Sequence, residues 1–272
     1  MQLENAPLVH VLVQVVFSPV WDIQERVTPF GRALQELDFP WVEPRQIHNV
    51  TVTDNAPPRV EIKERWDFLN PDRTTAVSLM DSMLVLQTAT YTSGEPFRRQ
   101  LQDILQVLAT VAEVGFVERI GLRYIDVVRV RPGERFSEYV KPGLLAFPWR
   151  EAEGLGARAF GIRTESLAHT AIGGVMGVRS SVLQPGQILP ADLMPPILLY
   201  PAVPEAVAPL PALALDFDHY ITFDQSPFAF HPDQIVGVVR DLHAGHRAAF
   251  GAATTAHAIE CWGPVIEEEE LA

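Results

Sequence analysis

Five of the eight histidines fall after residue 218, at His219, His231, His243, His246 and His257, with Asp216, Asp218, Asp233 and Asp241 among them. Imidazole and carboxylate are donors for zinc and other divalent ions, so this segment raises a metal-site reading. His243 and His246 stand three apart in a helical pattern, a spacing that can place both rings on one face. Asp216 and Asp218 stand two apart in a strand pattern and share a side, where paired acids can hold Mg2+ or act as acid and base. Asp216, Asp218, His243 and His246 are therefore the residues a metal-dependent hydrolase would use. Strand alternation argues against that set, because it turns His219 away from the two aspartates, and the paired-histidine helix motif of metalloproteases is absent. The stripe position of His246 suits a core histidine. Asp216 and Asp218 beside Tyr220 and Thr222 also read as the wet side of a strand.

A second constellation is cationic. Arg98, Arg99, Arg119, Arg123 and Arg129 concentrate in the middle of the chain. Guanidinium groups match carboxylate and phosphate in a planar fork, so these five are the candidate anion-binding residues. Arg123 beside Tyr124 and Asp126 reads equally well as an internal ion pair. The formal net charge of −13 disfavours bulk binding to nucleic acid or anionic membrane, which needs clustered positive charge.

Nucleophilic and cofactor chemistry find less support. Cys261, the single cysteine, stands beside Trp262 in no motif that would lower its pKa, and it excludes an intramolecular disulfide. No G-x-S-x-G elbow occurs. Gly154 with Gly156, and Gly173 with Gly174, match neither a dinucleotide-binding turn nor a P-loop, so no cofactor is expected.

The elements that must position these groups follow from periodicity. In residues 97–114, Phe97, Leu101, Ile104, Leu105, Leu108, Val111 and Ala112 form one apolar stripe, with Ser93 as N-cap and Gly115 as a left-handed stop. In 120–130, Ile120, Leu122, Tyr124, Val128 and Val130 share a face, and Arg123 and Arg129 share the other with Ile125 and Val127. Residues 5–18 alternate as a strand with Val9, Val11, Val13, Val15 and Phe17 on one side and His10 and Gln14 on the other. A helix at 21–37, strands at 45–53 and 59–69, and a strand at 77–90 turning at Asp81 and Ser82 complete a β-α-β-β-β-α-β first half. The second half reads as a short helix at 136–147, strands at 159–167, 170–183, 197–200 and 213–223, and a helix at 233–253. The expected class is α+β in two halves, 1–131 and 132–272, each of antiparallel strands packed by a long helix, as in a degenerate duplication. The second half carries a proline-rich passage at 185–211 and an acidic tail at 267–270.

Short runs recur in a recognisable order: Asn5-Ala-Pro-Leu-Val9, Trp66 with Phe68, Val77-Ser-Leu79, Tyr91 before Phe97, Gly121-Leu-Arg-Tyr-Ile-Asp126, and Leu242-His243 with Phe250 before Thr254-Thr255. Together they resemble a sporadically distributed family of uncharacterised bacterial and archaeal proteins of about this length. The chain departs from that pattern at His10, where an acidic residue is expected, and in its Ala- and Pro-rich second half. The resemblance implies no established activity; its sporadic distribution suggests accessory genes of defence or toxin–antitoxin type.

The expected function is non-enzymatic. The protein would bind a protein partner, a second copy of itself or a small ligand through a sheet face or a groove between the halves. The rivals are an RNA- or nucleotide-binding protein of paired ferredoxin-like units, and the metal-dependent hydrolase. With one cysteine and no basic-led signal peptide, a cytoplasmic setting without membrane contact is expected.

Overall fold

A computed structural model describes residues 2–51, 59–145, 161, 163–184, 186–202, 212–223, 226–263 and 265–266. The elements in chain order are β1 (Gln2–Leu3), β2 (Leu8–Phe17), α1 (Ile23–Glu36), β3 (Trp41–Thr51), β4 (Arg59–Leu69), β5 (Thr75–Leu79), β6 (Met83–Thr88), α2 (Gly94–Val111) and β7 (Phe116–Arg129). There follow α3 (Phe136–Tyr139), β8 (Arg163–His169), β9 (Val175–Leu183), β10 (Ala212–Thr222), β11 (Phe228–Ala229), α4 (Pro232–Ala253), α5 (Ala256–Trp262) and β12 (Val265–Ile266). Ten strands form one antiparallel sheet in the order β3-β4-β5-β6-β2-β7-β10-β9-β8, with β11 also paired to β7; β1 and β12 pair separately. The fold is α+β. The segments on either side of residue 131 share this one sheet through the β7–β10 ladder.

The sheet is two-faced because its central strands alternate. Val11, Val13, Val15 and Phe17 of β2, Ile120, Leu122, Tyr124 and Val128 of β7, and Leu213, Leu215 and Phe217 of β10 face the helices and form the main core. Phe97, Leu101, Ile104, Leu105 and Leu108 of α2 and Ile235, Val239 and Leu242 of α4 cover them. The three long helices lie side by side, α1 against α2 and α2 against α4. Leu105 is fully buried in this layer, so Leu105→Ala would cost about 2–5 kcal/mol. No described helix is long and apolar enough to cross a membrane.

Among the described residues no α-helix covers the opposite face. Residues 186–202 cross it instead, with Leu189 and Leu193 against Ile125, Val127, Ala212 and Ala214, and Leu198 against Leu69 and Ala76.

Several expectations need correction. A register shift between Leu8 and His10 moves Val9 out of the valine row and onto the uncovered face. The first half has four strands between its helices, because the turn at Asp81 and Ser82 closes the β5–β6 hairpin. Helix α2 stops at Val111 with an extended cap at Ala112, and Gly115 is not left-handed. Residues 197–200 form no strand, and the chain has a helix, α5, that the periodicity does not predict. The acidic run 267–270, Pro185, residues 203–211, and Gly154 and Gly156 lie outside the described residues.

Candidate functional site

The strap 186–202 leaves a cleft of about 540 Å3 between itself and the uncovered sheet face. Alternation decides which polar groups enter it. Even-numbered residues of β2 (His10, Leu12, Gln14), odd-numbered residues of β7 (Arg119, Gly121, Arg123) and Asp218 of β10 line it, opposite Met194, Ile197 and Tyr200 of the strap. Arg45, Arg65 and Ser78 form the far wall, and Met80 and Met83 add apolar surface.

At the centre, Gly121 lies across from Gln14 on one side and Tyr220 on the other. A Cβ on Gly121 would sit 3.0 Å from Arg119 Nη1, so the missing side chain is what lets the Arg119 guanidinium lie flat over the strand. There Arg119 stacks 4.4 Å from the Tyr220 ring centroid and donates through Nη1 to Gln14 Oε1. Among the described residues no carboxylate lies within ion-pair distance of it.

The neighbouring cations are paired. Arg123 grips Asp216 with two parallel bonds, Nε to Oδ1 and Nη2 to Oδ2, each 2.8 Å, and its Nη1 reaches Asp192 of the strap at 2.7 Å. These carboxylates hold the Arg123 guanidinium above its ordinary range although burial opposes that. Arg179, directly across the ladder from Asp216, adds a 3.3 Å bond. On the far wall the fully buried Asp67 accepts from Ser78 Oγ at 2.6 Å and Arg65 Nη2 at 2.8 Å, and forms an ion pair with Arg45, whose Nε stands 3.0 Å away. Asp218 is pushed up from the carboxylate range by burial.

His10 is buried, and burial together with Arg123 lowers it to about 4, so its ring is neutral at neutral pH. Burial raises the Tyr200 hydroxyl, which keeps its proton and stands 2.7 Å from His10 Nδ1. In the tautomer in which Tyr200 donates to Nδ1, the ring hydrogen sits on Nε2; in the other, Nδ1 donates to Tyr200 and Nε2 is an acceptor. His10 Nε2 and Arg65 Nε are the two buried side-chain atoms without a partner among the described residues. Both residues line the cleft.

The sequence-derived sets scatter. Arg119 and Arg123 meet in the cleft, and Arg129 is further along β7. Arg98 and Arg99 lie on α2, across the sheet, ion-paired with Glu95 at 3.2 and 3.1 Å. Arg123 pairs with Asp216 and not with Asp126, because successive strand residues point to opposite faces; the Asp126 carboxyl is buried and pushed up to about 8. The proposed metal ligands are also split by the sheet. Asp216 and Asp218 are on the uncovered face, whereas His243 and His246 belong to α4 on the other. His246 is buried and lowered to about 4 by that burial, with Nδ1 3.0 Å from the Leu242 carbonyl and Nε2 3.1 Å from the Phe217 carbonyl, and in its neutral form it donates to one of the two. Geometry does not assemble those four, and it makes His246 the core histidine its stripe position suggested.

His10, Arg45, Arg65 and Tyr200 line the cleft but are not among the residues that the sequence patterns select. A histidine and a glutamine on the polar side of an otherwise valine-rich strand was the available signal for His10. Nothing local marks Tyr200, which reaches the site from 190 residues away in sequence. No family model matches the chain, and a search of curated proteins likewise finds no match.

Proposed function

We propose that the protein is a non-enzymatic binding protein whose cleft receives a small anionic ligand, a carboxylate or phosphate ester carried on a partly apolar body. One observation carries this reading: three residues with hydrogen-bonding capacity to spare line a single cleft, Arg119 with no carboxylate partner among the described residues, and Arg65 and His10, each with one buried ring or guanidinium nitrogen that has no partner there. A buried donor without an acceptor costs about 1–3 kcal/mol, so a ligand that accepts from these groups gains what the free protein lacks. Met80, Met83, Leu193 and Ile197 supply the apolar wall. The cleft volume falls within the range of small-ligand pockets.

This reading favours a compact anion over a nucleic-acid strand. The five arginines do not form one track, and the chain is acidic overall. It also agrees with a duplicated architecture. In each half a central strand (β2 or β7) is followed by a meander whose last strand (β6 or β10) returns to pair with it, and then by a long helix (α2 or α4). The ligand would lie across the junction of two such units, in a cytoplasmic accessory protein of the family that the ordered runs from Asn5–Val9 through Gly121–Asp126 to Thr254-Thr255 together resemble.

Isothermal titration with phosphate monoesters and carboxylates bearing apolar groups tests the proposal. Saturable binding that weakens at least tenfold in Arg119→Met supports it. Equal binding by Arg119→Met, or no binding across the series, overturns it.

A further inference from the structure

Far from the cleft, three metal-ligating side chains converge. Glu134, His257 and Cys261 place one ligand atom each within 4.8 Å of one another. His257 Nε2 stands 3.3 Å from Glu134 Oε1 and 3.4 Å from Cys261 Sγ. We infer that these residues form a binding site for a borderline-soft divalent cation of the zinc type, with three protein ligands and a fourth position open.

Three features support a cation over a chance meeting of side chains. First, both partners approach the same ring nitrogen. A nucleophile–histidine–carboxylate relay uses the two ring nitrogens separately, so this is not a cysteine-hydrolase arrangement. One Nε2 serves a thiol and a carboxylate together only by sharing one hydrogen in a weak three-centre bond, whereas an ion among the three is a full partner to each. Second, the two edges from His257, 3.3 Å to Glu134 and 3.4 Å to Cys261, match the about 3.3–3.7 Å between N, O and S donors of a tetrahedral zinc site, worked from the usual bond lengths, and the third edge is within 4.8 Å. Third, the carboxylate is already oriented. Tyr139 O–H and Arg131 N–H both donate to Glu134 Oε2, which leaves Oε1 turned to His257.

The backbone explains the convergence. His257 and Cys261 are four apart on α5 and share a face. Glu134 follows Gly133, whose φ of 90° makes the turn out of β7 that a side-chain-bearing residue would resist. The two segments are held together by Thr255 N donating to Tyr139 O at 3.0 Å and Lys141 N donating to Ala253 O at 2.8 Å. Tyr139, fully buried, meets the His257 ring edge-on at 5.2 Å and fixes its plane. The His257 side chain is 40% exposed, which gives the ion a path from solvent. The cation would pin α5 to the end of β7.

The test uses the reduced full-length protein, stripped of metal and titrated with Co2+. One equivalent should bind with thiolate-to-cobalt charge-transfer absorption and the intensified d–d bands of a tetrahedral ion, and Zn2+ should displace it. Cys261→Ser should abolish the charge-transfer band. Glu134→Gln, close in shape and scored for fold by circular dichroism, should weaken binding at least tenfold, as should His257→Ala. Binding without charge transfer, or with equal affinity in Glu134→Gln and His257→Ala, would overturn the assignment.

Discussion

Asp216 is the carboxylate on which the floor of the cleft depends. Its side chain is 6% exposed and that of Arg123 is 12%, so the pair is desolvated and its geometry is bidentate. Removing one partner of a buried pair costs about 3–5 kcal/mol, because the other charge is stranded. Two features reduce that for Asp216→Ala. Arg179 is 31% exposed and can turn toward water, and Arg123 keeps Asp192, whose 60% exposed carboxylate offsets less than about 1 kcal/mol. The expected loss is about 2–4 kcal/mol, or a fall in Tm of roughly 5–15 °C for a chain of this size. Urea denaturation should show the midpoint falling with the slope unchanged. The double variant Arg123→Met with Asp216→Leu, which removes both charges and keeps apolar volume, should return to within about 1 kcal/mol of the parent. A loss under about 1 kcal/mol for Asp216→Ala, or a double variant as weak as the single one, would show that the pair behaves as a solvated surface contact.

Three further outcomes are expected. His10 and His246, each lowered to about 4, stay neutral in the fold while the unfolded chain takes up protons below about 6.5, so both reduce stability as pH falls from 6.5 to 4. Asp126, pushed up to about 8, acts oppositely: the unfolded carboxyl ionises above about 4 while the folded one stays protonated, so stability falls as pH rises from 4 to 8. Denaturation midpoints across pH should therefore peak near 6.5 in this window. Asp126→Asn should remove the alkaline decline and raise stability at pH 8 by a few kcal/mol, on the order of the desolvation it relieves; an unchanged alkaline limb would refute the buried-acid assignment. Gly121→Ala should leave stability within about 1 kcal/mol of the parent, since the added methyl meets the flexible end of Arg119, yet weaken anion binding by displacing that guanidinium; unchanged affinity by titration would count against the central placement of Arg119.

The alternation in residues 120–130 and 213–223 could be read directly, because each central strand has one face in a helix-covered core. That same alternation correctly set Asp216 and Asp218 on the side away from His219. It could not reveal the strand order β6-β2-β7-β10, which makes two distant segments neighbours and brings Arg119 beside Gln14. The bulge that moves Val9 off its row leaves no trace in local composition. The proline-rich passage was legible as an irregular connection, but its seat on the uncovered face depends on Leu189, Leu193 and Leu198 meeting small residues such as Ala76, Ala212 and Ala214 from two distant strands. Spacing rules for metals see pairs on one element, such as His243 with His246. They miss Glu134, which joins His257 and Cys261 only through the packing of α3 on α5.

Native mass spectrometry of the parent protein and Arg119→Met, purified in parallel from the parent's own host under mild conditions, tests the binding role most directly. The parent should carry a small anion, or take one up at one equivalent when phosphate monoesters and apolar carboxylates are added, while Arg119→Met remains bare with its fold intact. A parent that stays bare throughout, or an Arg119→Met protein that keeps the same ligand, would contradict the account.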